Sequence, residues 1–347
     1  MEFECENLTT LGCPRMDAVK ELMLLEQKGV IKMDINELKL LQNYPLDLKI
    51  EKTKLRIREW YEYHNGDVYV SFSGGADSTV LLDIVRSIYP DVEAVFCNTG
   101  LEYPEIVKFV KEFANVTILK PKKTFKQVIS EYGYPVISKS VSNTVRLARK
   151  NIEEGKDSLR VRQIKGLEKG SKFNKGKWQF LLDAPFKISD QCCDELKKKP
   201  FKEFEKITGK KPITGILADE GGIRQEAYLK TGCNNFKKGV CKPLGFWKKQ
   251  DILHYIKLFD LPICEVYGNI KEKDQIEGQL TIDNKNYSEL EFTGEQRTGC
   301  MFCMFGCHLE KEPNRFERMK KTHPKQYNYC INKLKLSEVL DYIGVKY

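Results

Sequence analysis

Residues 73–78, Ser73-Gly74-Gly75-Ala76-Asp77-Ser78, set two adjacent glycines, two hydroxyls and a carboxylate between a β-rich apolar run at 68–72 and a helical stretch over 78–88. Adjacent glycines let a backbone approach a phosphate closely. The N-terminus of the following helix supplies free N–H groups and a favourable dipole for the anion. Ser73 and Ser78 add hydroxyl donors. A carboxylate repels a bare anion, so Asp77 implies Mg2+ or an adjacent cation. The plainer alternative is a Gly-Gly turn capped by Ser or Asp, and the strand–loop–helix context weighs against it. The Gly-Lys-Ser/Thr ending of a Walker A loop is missing.

The second chemical feature is sulfur. Twelve cysteines are many for a chain in a reducing compartment, where they point to metal, cluster or catalysis before disulfides. Cys192-Cys193 is followed by Lys197 and Pro200, and Gly299-Cys300 opens a Cys-x-x-Cys that ends at Cys303. Four thiolates complete either a zinc site or a tetrahedral cluster. Consecutive side chains converge poorly on one small ion, which favours separate iron corners over zinc. Lys197 is either a cation beside such a cluster or a solvated lysine in Lys197-Lys198-Lys199. Cys307, followed by His308, allows three readings: a ligand in place of one of the adjacent pair, a thiol acting as nucleophile or persulfide carrier, or a buried inert cysteine. Cys5 and Cys13 lack ligand spacing, and Cys97, Cys233, Cys241, Cys264 and Cys330 read as small core residues.

The elements that must position these groups alternate. Strands at 92–97, 116–119 and 213–218, with a helix at 104–113, imply parallel βαβ units. Residues 1–45 read as a helical extension with helices near 16–27 and 35–42, ended by Tyr44-Pro45. Residues 46–265 form the nucleotide-binding α/β domain. Residues 266–347 form a C-terminal region holding the Cys-x-x-Cys and a polar insertion at 270–294, where Asp283-Asn284-Lys285-Asn286 is a hairpin turn between strands at 279–282 and 287–290. Residues 142–176 are dense in Lys, Arg and Gly, as a mobile basic segment or as helices with solvated charged faces. The 41% hydrophobic content excludes a disordered chain, and the +9 formal charge suits anionic partners. No run approaches the ~18 apolar residues of a membrane span. Met1-Glu2-Phe3-Glu4-Cys5 lacks a secretory signal's apolar core, so the expectation is a cytoplasmic protein.

The loop resembles the pyrophosphate (PP) loop of the adenine nucleotide α-hydrolase superfamily. Asn98-Thr99-Gly100-Leu101-Glu102-Tyr103-Pro104 is similar to the Asp-Thr-Gly-Leu-Glu-Phe-Pro stretch of its sulfonucleotide (PAPS) reductase branch, and Gly222-Ile223-Arg224-Gln225-Glu226-Ala227 to that branch's Gly-x-Arg-x-x-Glu-Ser. Lys242-Pro243-Leu244, Trp247, Asp251-Ile252, Tyr255-Ile256 and Leu261-Pro262 follow its later pattern. The likeness covers roughly residues 50–310. It implies an α/β fold, a doubly wound parallel sheet with the nucleotide at the C-terminal strand edge, and nucleotide contacts from Thr99, Gly100, Glu102 and Arg224. The two cysteine pairs look like the 4Fe-4S site of APS reductases, which implies Cys192, Cys193, Cys300 and Cys303 as ligands.

Two departures separate three functions. The Ser-Gly-Gly-x-Asp-Ser loop is complete, as in members that cleave ATP between the α- and β-phosphates, whereas reductases of APS or PAPS degrade it. The Glu-Cys-Gly-Leu/Ile-His tail of those reductases has no match in residues 341–347. The first expectation is therefore an enzyme using ATP and Mg2+. An acceptor oxygen attacks the α-phosphorus, with Lys139 or Arg224 neutralising charge. Sulfur from a donor, delivered at the cluster or by Cys307, then displaces AMP. This resembles iron–sulfur tRNA thiolation and DNA phosphorothioation enzymes, and the basic segment 142–176 would suit a nucleic-acid backbone. The second is reduction of APS or PAPS to sulfite with thioredoxin. The third is a non-catalytic nucleotide or redox sensor.

Overall fold

The computed structural model describes residues 33–171, 173–273 and 289–347. The helix expected near 16–27, Cys5, Cys13 and the turn at 283–286 lie outside them. Helix α1 (Ile35–Gln42) is capped by Asp34 and closed by a reciprocal Glu37 contact, and it buries Leu38 and Leu41. Helix α2 (Leu46–Tyr63) starts directly after Pro45, and its Ile50, Thr53, Ile57 and Trp60, at three- and four-residue spacing, are all buried. Leu38, Trp60, Phe72, Trp247, Met304 and Leu340 belong to one apolar core, so residues 33–45 pack into the same body as the rest.

The central sheet contains β1 (Val68–Ser71), β2 (Ala94–Cys97), β3 (Val116–Leu119), β5 (Lys211–Thr214), β6 (Asn234–Asn235) and β7 (Val240–Cys241) in the order β3-β2-β1-β5-β7-β6. All neighbours are parallel except β6 with β7. Every residue of β2 is buried, as expected of a strand covered on both faces. Helix α3 (Ala76–Ile88) follows β1 and α4 (Pro104–Lys111) follows β2. The chain runs from β1 outward to β3 and returns on the other side as β5, so the switch in strand order falls between β1 and β5, where an open α/β sheet forms a crevice. The doubly wound parallel sheet is thus as expected. The strand expected at 213–218 lies instead at 211–214, and the chain leaves the ladder at Gly215 before a 3-10 turn at Ala218–Glu220.

Beyond β3 come α5 (Phe125–Glu131), the short β4 (Val136–Ile137), α6 (Lys139–Glu153) and α7 (Leu159–Ile164). The basic segment is therefore helical over much of its length. Val141, Val145, Ala148, Val161 and Ile164 face the core. Several of its cations serve the fold: Arg149 donates to the carbonyls of Leu181, Ala184 and Phe186 at 2.7–2.8 Å, and Arg146 pairs with Asp190 at 3.1 Å. Helix α8 (Lys199–Thr208) precedes β5, and α9 (Gly222–Thr231) and α10 (Lys249–Leu258) flank β6 and β7. A two-stranded hairpin, β8 (Ile270–Glu272) with β9 (Leu290–Phe292), then leads to β10 (Met304–Phe305) and α11 (Arg315–Thr322), α12 (Pro324–Asn328) and α13 (Leu336–Tyr342).

Candidate functional site

The loop between β1 and α3 sits at the switch point and is closed on itself. Gly74 adopts φ +69, and a Cβ there would meet Val110 Cγ2 at 2.8 Å, so both conformation and space demand glycine. The Ser78 hydroxyl donates to the Gly75 carbonyl at 2.9 Å and accepts from the Ser73 N–H at 3.1 Å. Gly75 N–H donates to Ser73 Oγ at 3.3 Å. The carboxylate of Asp77, in the first turn of α3, is met by Lys249 Nζ at 3.1 Å. Lys249 opens α10 and also lies 5.4 Å over the Phe292 ring. Gly215, just after β5, lets that strand end approach: its Cβ would stand 3.1 Å from the Asp77 carbonyl oxygen. Glu220 pairs with both Arg224 and Arg297. Burial and the charge of Arg297 lower the Arg224 guanidinium from its ordinary value, and Asp77 opposes them.

The two cysteine pairs are brought together by one extended segment, 134–137. On one side Tyr134 N–H donates to Lys187 O at 2.9 Å and Ser189 N–H returns to Tyr134 O at 3.0 Å, four residues before Cys193. On the other, β4 pairs in parallel with β10, directly after Cys303, and Gly306 N–H reaches Ile137 O at 2.8 Å. Gly133 makes the crossing possible, since a Cβ there would lie 2.4 Å from the Lys187 carbonyl. The resulting thiols share one electrostatic neighbourhood. Burial lifts Cys192 far above an ordinary thiol, and Cys300, Cys193 and Cys303 add to it. Burial pushes Cys300 up to about 12, with Lys197 opposing and Glu102, Cys303 and Cys193 contributing. Cys192 is buried and Cys193, Cys300 and Cys303 are half-buried, so ionising all four together is costly without a metal to neutralise them. Among the described residues no three Cys, His, Asp or Glu side chains converge on a single metal ion.

A family model described as the phosphoadenosine phosphosulfate reductase domain matches residues 67–309. The chain belongs to this family. It is 24% identical over 296 residues to an uncharacterised protein of Methanocaldococcus jannaschii, a match covering 83% of this chain and about half (53%) of that protein. It is 26% identical over 225 residues to the adenosine 5'-phosphosulfate reductase of Staphylococcus epidermidis, covering 64% of this chain and 74% of the relative. A solved U34-tRNA thiolase from Methanococcus maripaludis with its 4Fe-4S cluster overlaps 86% of this chain and 81% of its own at 14% identity. Its TM-score of 0.35 is too low for comparison of sites.

In this PAPS reductase family chain the expected site residues divide into two groups. Ser73, Gly74, Gly75, Asp77, Ser78 and Arg224 gather at the loop. Cys192, Cys193, Cys300, Cys303 and Lys197 gather at the bracket. Glu102 belongs with the second group: Thr99 N–H and Oγ1 both donate to the Glu102 carboxylate at 2.9 Å, and Lys197 Nζ stands 3.4 Å from its other side. Burial works against the Lys197 ammonium, yet Cys300 and Glu102 together raise it above an ordinary lysine. Met301 N–H donates to Leu101 O at 2.8 Å, tying the same loop to the Cys-x-x-Cys. Lys139, expected to neutralise phosphate, is instead placed on Asp194 at 3.4 Å, beside Cys193. Cys307 is 2% exposed, donates its thiol to Met304 O at 3.0 Å and is pushed up to about 12 by burial. Its burial and the hydrogen bond to Met304 fit the buried core cysteine among the three readings. Lys249, Tyr267, Thr298, Arg297, Gly133 and Arg315, which donates to Cys303 O at 2.8 Å, had no recognisable spacing in the sequence. Only the unbalanced charge of Asp77 pointed to one of them, since it called for a neighbouring cation.

Proposed function

We propose that this PAPS reductase family chain is an enzyme that binds ATP with Mg2+ at the loop, adenylates an oxygen of its acceptor and exchanges the adenylate for sulfur. The observation that carries this reading is the complete loop with its carboxylate kept: Asp77, paired to Lys249 at 3.1 Å, gives a site for a metal-bound triphosphate that a sulfonucleotide has no pyrophosphate to use. In the first step the acceptor oxygen forms a bond to the α-phosphorus, the bond from that phosphorus to the bridging oxygen breaks, and pyrophosphate leaves. Lys249, Arg224 and the loop N–H groups are the donors that stabilise this charge. In the second, a sulfide-level donor forms the carbon–sulfur bond as the carbon–oxygen bond breaks, releasing AMP with no net oxidation.

Cys192, Cys193, Cys300 and Cys303 would hold a 4Fe-4S cluster, which when bound supplies soft-ligand and one-electron chemistry. Lys197 and Arg315 would offset its negative charge, and Glu102, 3.4 Å from Lys197 Nζ, would hold that ammonium in place. The acceptor class favoured by the cations of segment 142–176 is nucleic acid. The test is pyrophosphate release by anaerobically purified protein. Release that depends on an acceptor supports the reading; no release with any acceptor counts against it.

The second reading is reduction of adenosine 5'-phosphosulfate to sulfite with a thioredoxin-like donor, favoured by the 26% identity to a reductase over 225 residues. Thiol-dependent sulfite formation without pyrophosphate release would select it.

A further inference from the structure

The first N–H of helix α3 has a partner from far along the chain. Ala76 N–H donates to the hydroxyl of Tyr267 at 3.0 Å, and that hydroxyl also shares a hydrogen bond with Thr298 Oγ1 at 2.7 Å. Tyr267 is 2% exposed. Gly75 is what admits the pair, because a Cβ there would stand 3.0 Å from Thr298 Oγ1 and 3.2 Å from the Tyr267 hydroxyl. The hairpin β8–β9 holds the two partners in register: Glu295 N–H donates to Val266 O at 3.0 Å and Gly294 N–H to Tyr267 O at 2.8 Å. Thr298 lies two residues before Cys300.

We propose that Tyr267 is a positioning residue that ties the occupancy of the nucleotide loop to the conformation of the Cys300–Cys303 segment. The identity of the ligand rests on the reading above; the tie itself does not. A helix N-terminal N–H is the donor a phosphate oxygen seeks, and here a neutral hydroxyl already occupies it. A phenol carries one proton. While its oxygen accepts from Ala76, that proton goes either to Thr298 or to a phosphate oxygen, not to both. An arriving phosphate that takes the proton leaves Thr298 as the donor of the 2.7 Å bond, and the backbone of Thr298 leads straight into Gly299 and Cys300. The second glycine of the loop thereby has a role besides phosphate approach: it makes room for the relay.

Amide hydrogen exchange on the full chain tests this, with Tyr267→Phe and Thr298→Val as the variants. Without any nucleotide, loss of the bridge in either variant is expected to speed exchange at least threefold in both the 73–80 and the 295–303 peptides, with the double variant no faster than the singles. A rise in only one of the two peptides in either variant, or additive rises in the double variant, overturns the proposal. Tyr267→Phe keeps the buried ring, so an unfolded variant is not expected. Were its melting to lose cooperativity, Thr298→Val alone decides, by its effect on 73–80. In a second arm ATP·Mg2+ and adenosine 5'-phosphosulfate are added separately. The wild type is expected to alter exchange in both peptides and Tyr267→Phe in 73–80 only. Failure of ATP to bind in this arm counts against the adenylation reading and leaves the first arm's result standing.

Discussion

The Asp77 carboxylate at the start of a helix has to be balanced, and at the residue scale Lys249 is the group that balances it. The pair Asp77–Lys249 is partly exposed, with side-chain exposures of 29% and 37%, so its contribution to stability is within ~1 kcal/mol. On the proposed adenylation reading its contribution to a bound triphosphate is larger, because a hydrogen bond to a charged group is worth ~1.5–3 kcal/mol. Lys249→Met is therefore expected to weaken ATP·Mg2+ binding by about 10- to 100-fold in calorimetry while melting within a few degrees of the wild type. Equal loss of melting temperature and affinity would mean the pair is structural. The cysteines separate in the same way. Cys193→Ser is expected to abolish bound iron and sulfide in anaerobically reconstituted protein. Cys307→Ser is expected to retain them, at a cost of about 1–3 kcal/mol for burying a hydroxyl in place of a thiol. Iron analysis checks both, and loss of iron in Cys307→Ser would restore Cys307 as a ligand.

The elements explain which parts of the site were legible beforehand. The loop, β1, α3, β2 and α4 follow one another in sequence, so glycine, hydroxyl and apolar spacing expose them directly. Helix α2 escaped notice because its inward face carries Lys49, Lys52 and Arg56 beside the apolar residues, which blurs the period. The tertiary structure admits these cations by giving them partners: Lys49 is 1% exposed and meets Asp251 of α10 at 2.5 Å. The cysteine bracket was legible only as two separate pairs. What joins them is segment 134–137, whose residues are ordinary, and the signal is a single glycine. Gly133 has φ +110 and contacts the Lys187 backbone, whereas Gly155 has φ +65 with nothing within 4 Å of its would-be Cβ. Alanine at 155 should cost ~1–2 kcal/mol for the left-handed backbone alone. Alanine at 133 adds a clash worth ~1–3 kcal/mol and should also open the bridge to 187–189. The expected outcome is a lower melting temperature for Gly133→Ala than for Gly155→Ala, together with lower bound iron in Gly133→Ala only. Full iron in both would show that the bracket does not depend on that crossing.

At the scale of the whole molecule, the +9 charge is not spread as a uniform coat. Within the basic segment Arg146, Arg149 and Arg162 are spent on Asp190, on three carbonyls and on Asp157 with Glu168. The exposed lysines 165, 169 and 177 remain, interleaved with exposed Leu167, Phe173 and Phe180, and Lys177 lies 4.8 Å over the Trp178 ring. Trp178 in turn meets His308 edge-on at 5.2 Å, five residues beyond Cys303, so this face runs up to the cysteine bracket. Cations interleaved with aromatic rings suit a single-stranded nucleic acid, which offers phosphates to the one and base faces to the other. Binding of a labelled single-stranded oligonucleotide should then weaken linearly in log–log form as salt rises. Replacing Lys165, Lys169 and Lys177 together by Gln should reduce that slope by about 2, at ~0.7 per phosphate contact, without changing the melting temperature by more than about 2 °C. An unchanged slope would assign these lysines to solvation and move the acceptor to another face, while pyrophosphate release would still report on the loop independently.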